Sequence, residues 1–111
     1  MGELVDRYEA VYALAVERGA PRFNGGDHET CAELYELAAV SILSLAGDDL
    51  PPAARQRLVQ AVEDSEQDRN ARDKSWTLRR GLDSAFRTLQ AEAAEEVRPG
   101  ARLAPRGVGQ R

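Results

Sequence analysis

The sequence predicts an all-α fold, a small bundle of about four helices arranged as two stacked antiparallel hairpins. Three observations lead there. Alanine, leucine, glutamate, arginine and glutamine dominate while isoleucine, threonine and the aromatics are sparse, a mixture that favours helices because straight side chains lose little rotamer freedom in them. Four segments carry apolar residues at helical spacing, and the connections between them are short, which favours antiparallel neighbours. At 111 residues with 42% hydrophobic and 31% charged side chains, the chain suffices for one folded domain and not for two.

The first helix is expected over Glu3 to Gly19, where Leu4, Tyr8, Val11, Tyr12 and Ala15 recur on one face and Gly19 stands ready to end it. The stretch Ala20 to Gly26, with Pro21, Asn24, Gly25 and Gly26, predicts a turn. Asp27 then has the position of an N-cap, its carboxylate able to accept from backbone N–H groups two and three residues on. The second helix, His28 to Ala46, is the most strongly patterned. Cys31, Leu34, Tyr35, Ala38, Ile42 and Leu45 form a stripe that Leu37, Val40 and Ser44 widen, a breadth that implies two neighbours.

Pro51 and Pro52 open the third helix, where a missing N–H costs nothing. It directs Ala54, Leu58, Ala61 and Val62 inward and fades in the polar run Glu63 to Asp73. The fourth helix is expected from Lys74 to Val97, with Leu78, Leu82, Ala85, Phe86, Leu89 and Ala93 on one face, stopped by Arg98, Pro99 and Gly100. Residues 1–97 thus read as the bundle. Residues 98–111, rich in proline, glycine and arginine, read as a disordered basic tail too poor in apolar groups to offset its ordering entropy.

Charge narrows the partners. The chain has 15 basic and 19 acidic residues for a net charge of −4, and the four arginines Arg98, Arg102, Arg106 and Arg111 all lie in the tail, which has no acid. The preceding residues therefore hold 11 basic and 19 acidic side chains, a body of −8 that repels phosphate backbones, so nucleic-acid binding by the folded part is not expected. The tail itself suits an acidic partner or polyphosphate. No apolar run approaches the roughly 18 residues of a membrane span, the longest being Leu37 to Leu45 with two serines inside it. The single cysteine and the absence of a signal-peptide layout after Met1 lead to a cytoplasmic expectation. The near-exclusive use of arginine over lysine suits a GC-rich, bacterial genome.

Between Gly19 and Ala38 the chain resembles one tetratricopeptide-type hairpin. Gly19 takes the place of that repeat's helix-crossing glycine, Gly26 and Asp27 that of its turn, Cys31 its small residue, Tyr35 its following aromatic and Ala38 its next small position. The resemblance spans about residues 12–45 as a single degenerate copy. Ala15, Arg18, Arg22 and Leu43 replace the family's tryptophan, leucine, aromatic and proline, and Pro21 falls where the first helix of the repeat continues. The resemblance implies a surface for peptides or other proteins.

Few residues carry a chemistry of their own. His28 and Cys31 stand three apart at the start of the second helix, where both can face one metal or haem iron, which makes a metal- or haem-responsive sensor the alternative reading. Two ligands do not complete a site, and a cysteine on the apolar stripe is disfavoured as a thiolate nucleophile, so no metal and no cofactor are expected. Glu63, Asp64, Glu66 and Asp68 lack the spacing and glycine of a calcium loop. No nucleophile elbow, phosphate loop or dinucleotide motif is present, and one histidine restricts acid–base chemistry, so catalysis is not expected.

Two surfaces remain for a protein or peptide partner. One is the corner holding Arg22, Phe23, Asn24 and His28 beside two glycines. The other is Trp76, Arg79 and Arg80, set on the fourth helix opposite its apolar face, in residue types enriched at interaction hot spots. The expected function is a non-enzymatic interaction, adaptor or regulatory module, and the wide apolar faces of the second helix suggest a homodimer.

Overall fold

In a computed structural model that describes residues 1–96, the chain forms four helices. They are α1 (Gly2–Asn24), α2 (His28–Ala46), α3 (Pro52–Ser65) and α4 (Ala71–Glu96), and no strand occurs among the described residues. The basic segment 98–111, for which the sequence predicts disorder, lies outside the described residues, as does Val97. No helix in the described part is long and apolar enough to cross a membrane.

The helices pair as α1 with α2 and α3 with α4, and the two hairpins meet mainly through α2 and α4. α1 also touches α4, α2 touches α3, and α1 and α3 make no contact. Leu58 of α3 and Leu78, Leu82 and Leu89 of α4 are fully buried at the centre, joined by Cys31, Tyr35, Ala38, Ala39 and Ile42 of α2. Tyr8, Tyr12 and Phe86 form an aromatic seam between α1 and α4, with Tyr8 and Phe86 stacked at 5.3 Å between ring centres. The Tyr8 hydroxyl donates to the Leu82 carbonyl at 2.7 Å, which satisfies the one polar atom of that buried ring.

α1 does not stop at Gly19. It continues through Pro21 to Asn24, because a proline late in a helix removes a single backbone donor and the following turn is closed by other groups. The Gly26 N–H reaches the Phe23 carbonyl at 3.0 Å and the Asp27 N–H the Arg22 carbonyl at 2.7 Å, with Gly26 at φ +93°. That pair of bonds around a left-handed glycine is a Schellman closure, so Gly26 ends the helix and Gly19 is free for another task. Gly19 is buried at the crossing with α2, where a β-carbon would stand 2.8 Å from Tyr35 Cε1 and 3.4 Å from Cys31 Sγ.

α2 has its predicted bounds, and Asp27 caps it by accepting from the Thr30 N–H at 3.1 Å. Its stripe is narrower than the sequence suggests. Cys31, Tyr35, Ala38 and Ile42 are buried, but Leu45 is 86% exposed and Leu37 64% exposed, with Val40 also at the surface. α2 reaches its second neighbour, α4, with other residues, burying Ala32 and Ala39 and joining Glu36 to Lys74 at 2.9 Å. Small side chains on that flank let two helices approach closely, so the leucines on the opposite flank are left facing outward.

α4 begins at Ala71, a turn earlier than the apolar pattern indicates. Asn70 supplies the reason. Its side-chain oxygen accepts from the Asp73 N–H at 2.8 Å and its amide donates to the Asp73 carboxylate at 3.2 Å, a reciprocal cap that starts the helix in a turn whose one apolar residue is Ala71.

Candidate functional site

The end of α1, the start of α2 and the first turns of α4 converge on one corner of the bundle. Phe23 is at its centre. The Schellman closure holds Phe23 in the last turn of α1, where its ring packs on the His28 imidazole at 4.4 Å between centres and meets Trp76 edge-on at 5.5 Å and 76°. Edge-on aromatic contact sets the positive rim of one ring against the negative face of the other. Trp76 stays 44% exposed. The Arg22 to His28 corner and the Trp76 and Arg79 part of the outer face of α4, which the sequence sets apart, therefore adjoin.

Between these rings and the body of the bundle lies a pocket of about 140 Å³ lined by Ala20, Phe23, Asn24, Tyr35, Trp76 and Arg79, with Ser75 at its floor. The buried Ser75 hydroxyl sits 2.8 Å from the Ala71 carbonyl and 3.2 Å from that of His28, tying the first turn of α4 to that of α2. Arg79 spans the pocket wall. Its Nε donates to Asp83 at 3.2 Å and a terminal nitrogen reaches the Tyr35 hydroxyl at 3.4 Å, which takes two of the five donors of a guanidinium. Asp83 also accepts from the Tyr12 hydroxyl, so the arginine is fixed through a carboxylate that α1 in turn holds.

The charges respond to this packing. Burial raises the Asp83 carboxyl above the ordinary aspartate range, with the Arg87 guanidinium pulling the other way. Burial likewise raises the Tyr35 phenol, helped by Cys31 and opposed by Arg79. Asp27, at the outer edge, is lowered by hydrogen bonding from Thr30, with Arg22 and His28 adding to the effect.

The structure thus gathers Phe23, Asn24, His28, Trp76 and Arg79 at one corner. Arg22 is close by in sequence but exposed, 3.8 Å from Asp27 in a loose ion pair. Arg80 departs from the group, because one residue further along α4 turns the side chain by about 100°. It lines a separate open hollow between α3 and α4 with Arg57, Gln60 and Asp64. Tyr35 and Ala20 belong to the pocket although the sequence marks them only as core and turn. The signal for Tyr35 was present, since a tyrosine on a buried stripe needs a partner for its hydroxyl.

His28 and Cys31 have different surroundings. Cys31 is fully buried with its sulfur beside Gly19 and Tyr35, whereas His28 faces Phe23. Among the described residues, no three histidine, cysteine, aspartate or glutamate side chains converge as a metal would need. Comparison with protein-family models, curated proteins and solved structures returns no match to this chain, so the corner is read from its own chemistry.

Proposed function

We propose that the chain is a helical interaction module whose aromatic corner receives one apolar side chain of a protein or peptide partner. The observation that carries this reading is Trp76, a tryptophan half open to solvent, braced edge-on by Phe23 and beside a preformed pocket. Exposing an indole forgoes a favourable burial of a large apolar surface, and tryptophan with arginine is the composition of binding hot spots. Size selects the ligand class. A volume of about 140 Å³ falls below the roughly 300–1,000 Å³ of small-molecule and cofactor sites and suits a single side chain.

Arg79 at the wall and Arg22 nearby favour a carboxylate next to the anchor, since guanidinium groups hold carboxylates with paired hydrogen bonds. The likeness of the Gly19 to Ala38 segment to a tetratricopeptide hairpin supports the same reading, because such hairpins present peptide-binding surfaces.

Selection from a random peptide library tests it. The chain should enrich peptides that share an apolar or aromatic anchor beside an acidic residue, and Trp76→Ala and Phe23→Ala should each abolish their capture with the circular dichroism unchanged. Equal capture by Trp76→Ala would remove the corner as the binding site.

A further inference from the structure

Asp83 does not line the aromatic pocket, yet it holds the one charged side chain that does. Its Oδ1 accepts from Arg79 Nε at 3.2 Å and from the Tyr12 hydroxyl, and one terminal nitrogen of Arg79 reaches the Tyr35 hydroxyl at 3.4 Å. The guanidinium is thereby held at two points, toward α1 through Asp83 and Tyr12 and toward α2 through Tyr35. Its neighbour Arg80 shows the alternative, exposed and with no hydrogen bond or ion pair among the described residues. Arg79 is fixed while its side chain stays 30% exposed, so it is both ordered and open to a ligand.

Order matters because a ligand that pairs with a free arginine must first stop its motion, which lowers affinity by roughly two- to tenfold for a side chain with so many rotamers. Donor supply is also left over. A guanidinium has five N–H groups, and with Nε and one terminal N–H taken, one donor remains on the nitrogen that reaches Tyr35 and two on the other. These suffice for both oxygens of a carboxylate. On the reading of the corner as a peptide site, we infer that Asp83 is its positioning residue, presetting Arg79 so that the corner selects a carboxylate over the isosteric amide beside the apolar anchor.

Asp83 acts on such a ligand in two opposite ways. Its charge opposes a second carboxylate, and its hydrogen bond prepares the cation that receives one. Two substitutions separate these effects. Asp83→Asn and Asp83→Ala remove the charge equally, but asparagine keeps an acceptor. In the structure a single oxygen, Oδ1, serves both Arg79 and Tyr12, so the one oxygen of asparagine can replace it. The difference between the two variants therefore reports position alone. The Asp83 side chain is 29% exposed in the middle of α4, and alanine is a good helix former there, so both variants keep the fold.

Calorimetric titration of the full chain decides it, with two blocked peptides that differ only in glutamate or glutamine beside a leucine anchor. Asp83→Asn should bind the glutamate peptide roughly two- to tenfold more tightly than Asp83→Ala does, and the two variants should bind the glutamine peptide alike. In nitrogen-15 NMR spectra the Arg79 Nε–H should exchange slowly with water in the wild type and in Asp83→Asn, and fast in Asp83→Ala. Equal binding of the glutamate peptide by the two variants, with the glutamine peptide still bound, would overturn the positioning role and leave the peptide site standing. A wild type that binds neither peptide would remove the peptide site and this role together.

Discussion

Gly81 of α4 lies against Ala61 of α3 so closely that a β-carbon built on Gly81 would fall 2.2 Å from the Ala61 β-carbon. The glycine sits mid-helix, where it costs about 1 kcal/mol relative to alanine, and the close approach of the two helices is the return. Gly81→Ala therefore gains propensity and loses packing. Overpacking of a stiff contact costs about 1–3 kcal/mol, and the neighbour here is a methyl group on a helix backbone, which cannot swing aside. Urea denaturation should show a net loss of stability, and adding Ala61→Gly should restore part of it. A more stable single variant would mean that α3 and α4 are further apart than described.

Tyr8 donates its buried hydroxyl proton to the Leu82 carbonyl. Tyr8→Phe keeps the stacking on Phe86 and loses that bond, at a cost of about 1 kcal/mol. Burial, with the Asp83 charge adding to it, raises the phenol far above its ordinary value. The folded state thus holds this proton more tightly than the unfolded chain does. Its contribution to stability is complete below the ordinary tyrosine value of about 10 and is lost as pH rises above it. Denaturation midpoints of wild type and Tyr8→Phe should converge as the pH is raised through that range.

Asp27 has the opposite sign. Hydrogen bonding from Thr30 lowers its carboxyl, so the stabilisation is present above the ordinary aspartate value of about 3.9 and disappears as pH falls through the lower folded value. Asp27→Ala should lower the thermal midpoint at neutral pH, and the gap to wild type should narrow in acid.

Leu58 is fully buried and Leu45 almost fully exposed, although both are leucines on apolar stripes. Leu58→Ala should destabilise by about 2–5 kcal/mol. Leu45→Ala in dilute solution should stay within about 0.5 kcal/mol. Thermal unfolding of the two variants side by side checks the placement of the core.

The helices were legible because each carries its own periodic signal, and the start of α2 was legible because Asp27 and Gly26 are strong local punctuation. The end of α1 was not. Gly19 and Pro21 both act as stop signals in a sequence, yet the decisive event is the Gly26 closure, supported by Phe23 packing on two residues from other helices. The start of α4 was hidden because Asn70 caps a turn whose one apolar residue is Ala71. At the site, Trp76 and Phe23 were recognisable singly, as aromatics away from the apolar stripes. Their meeting was not, because it depends on how two hairpins stack, and nothing local to either segment encodes that.

Trp76 is the only tryptophan in the chain, so indole emission reports this corner alone. Titration with short blocked peptides that place leucine or phenylalanine beside glutamate measures the central claim directly. A saturable change in emission that disappears in Phe23→Ala is the expected result. Emission that stays flat, or that changes equally in Phe23→Ala, would contradict a recognition site built on the Phe23 and Trp76 pair.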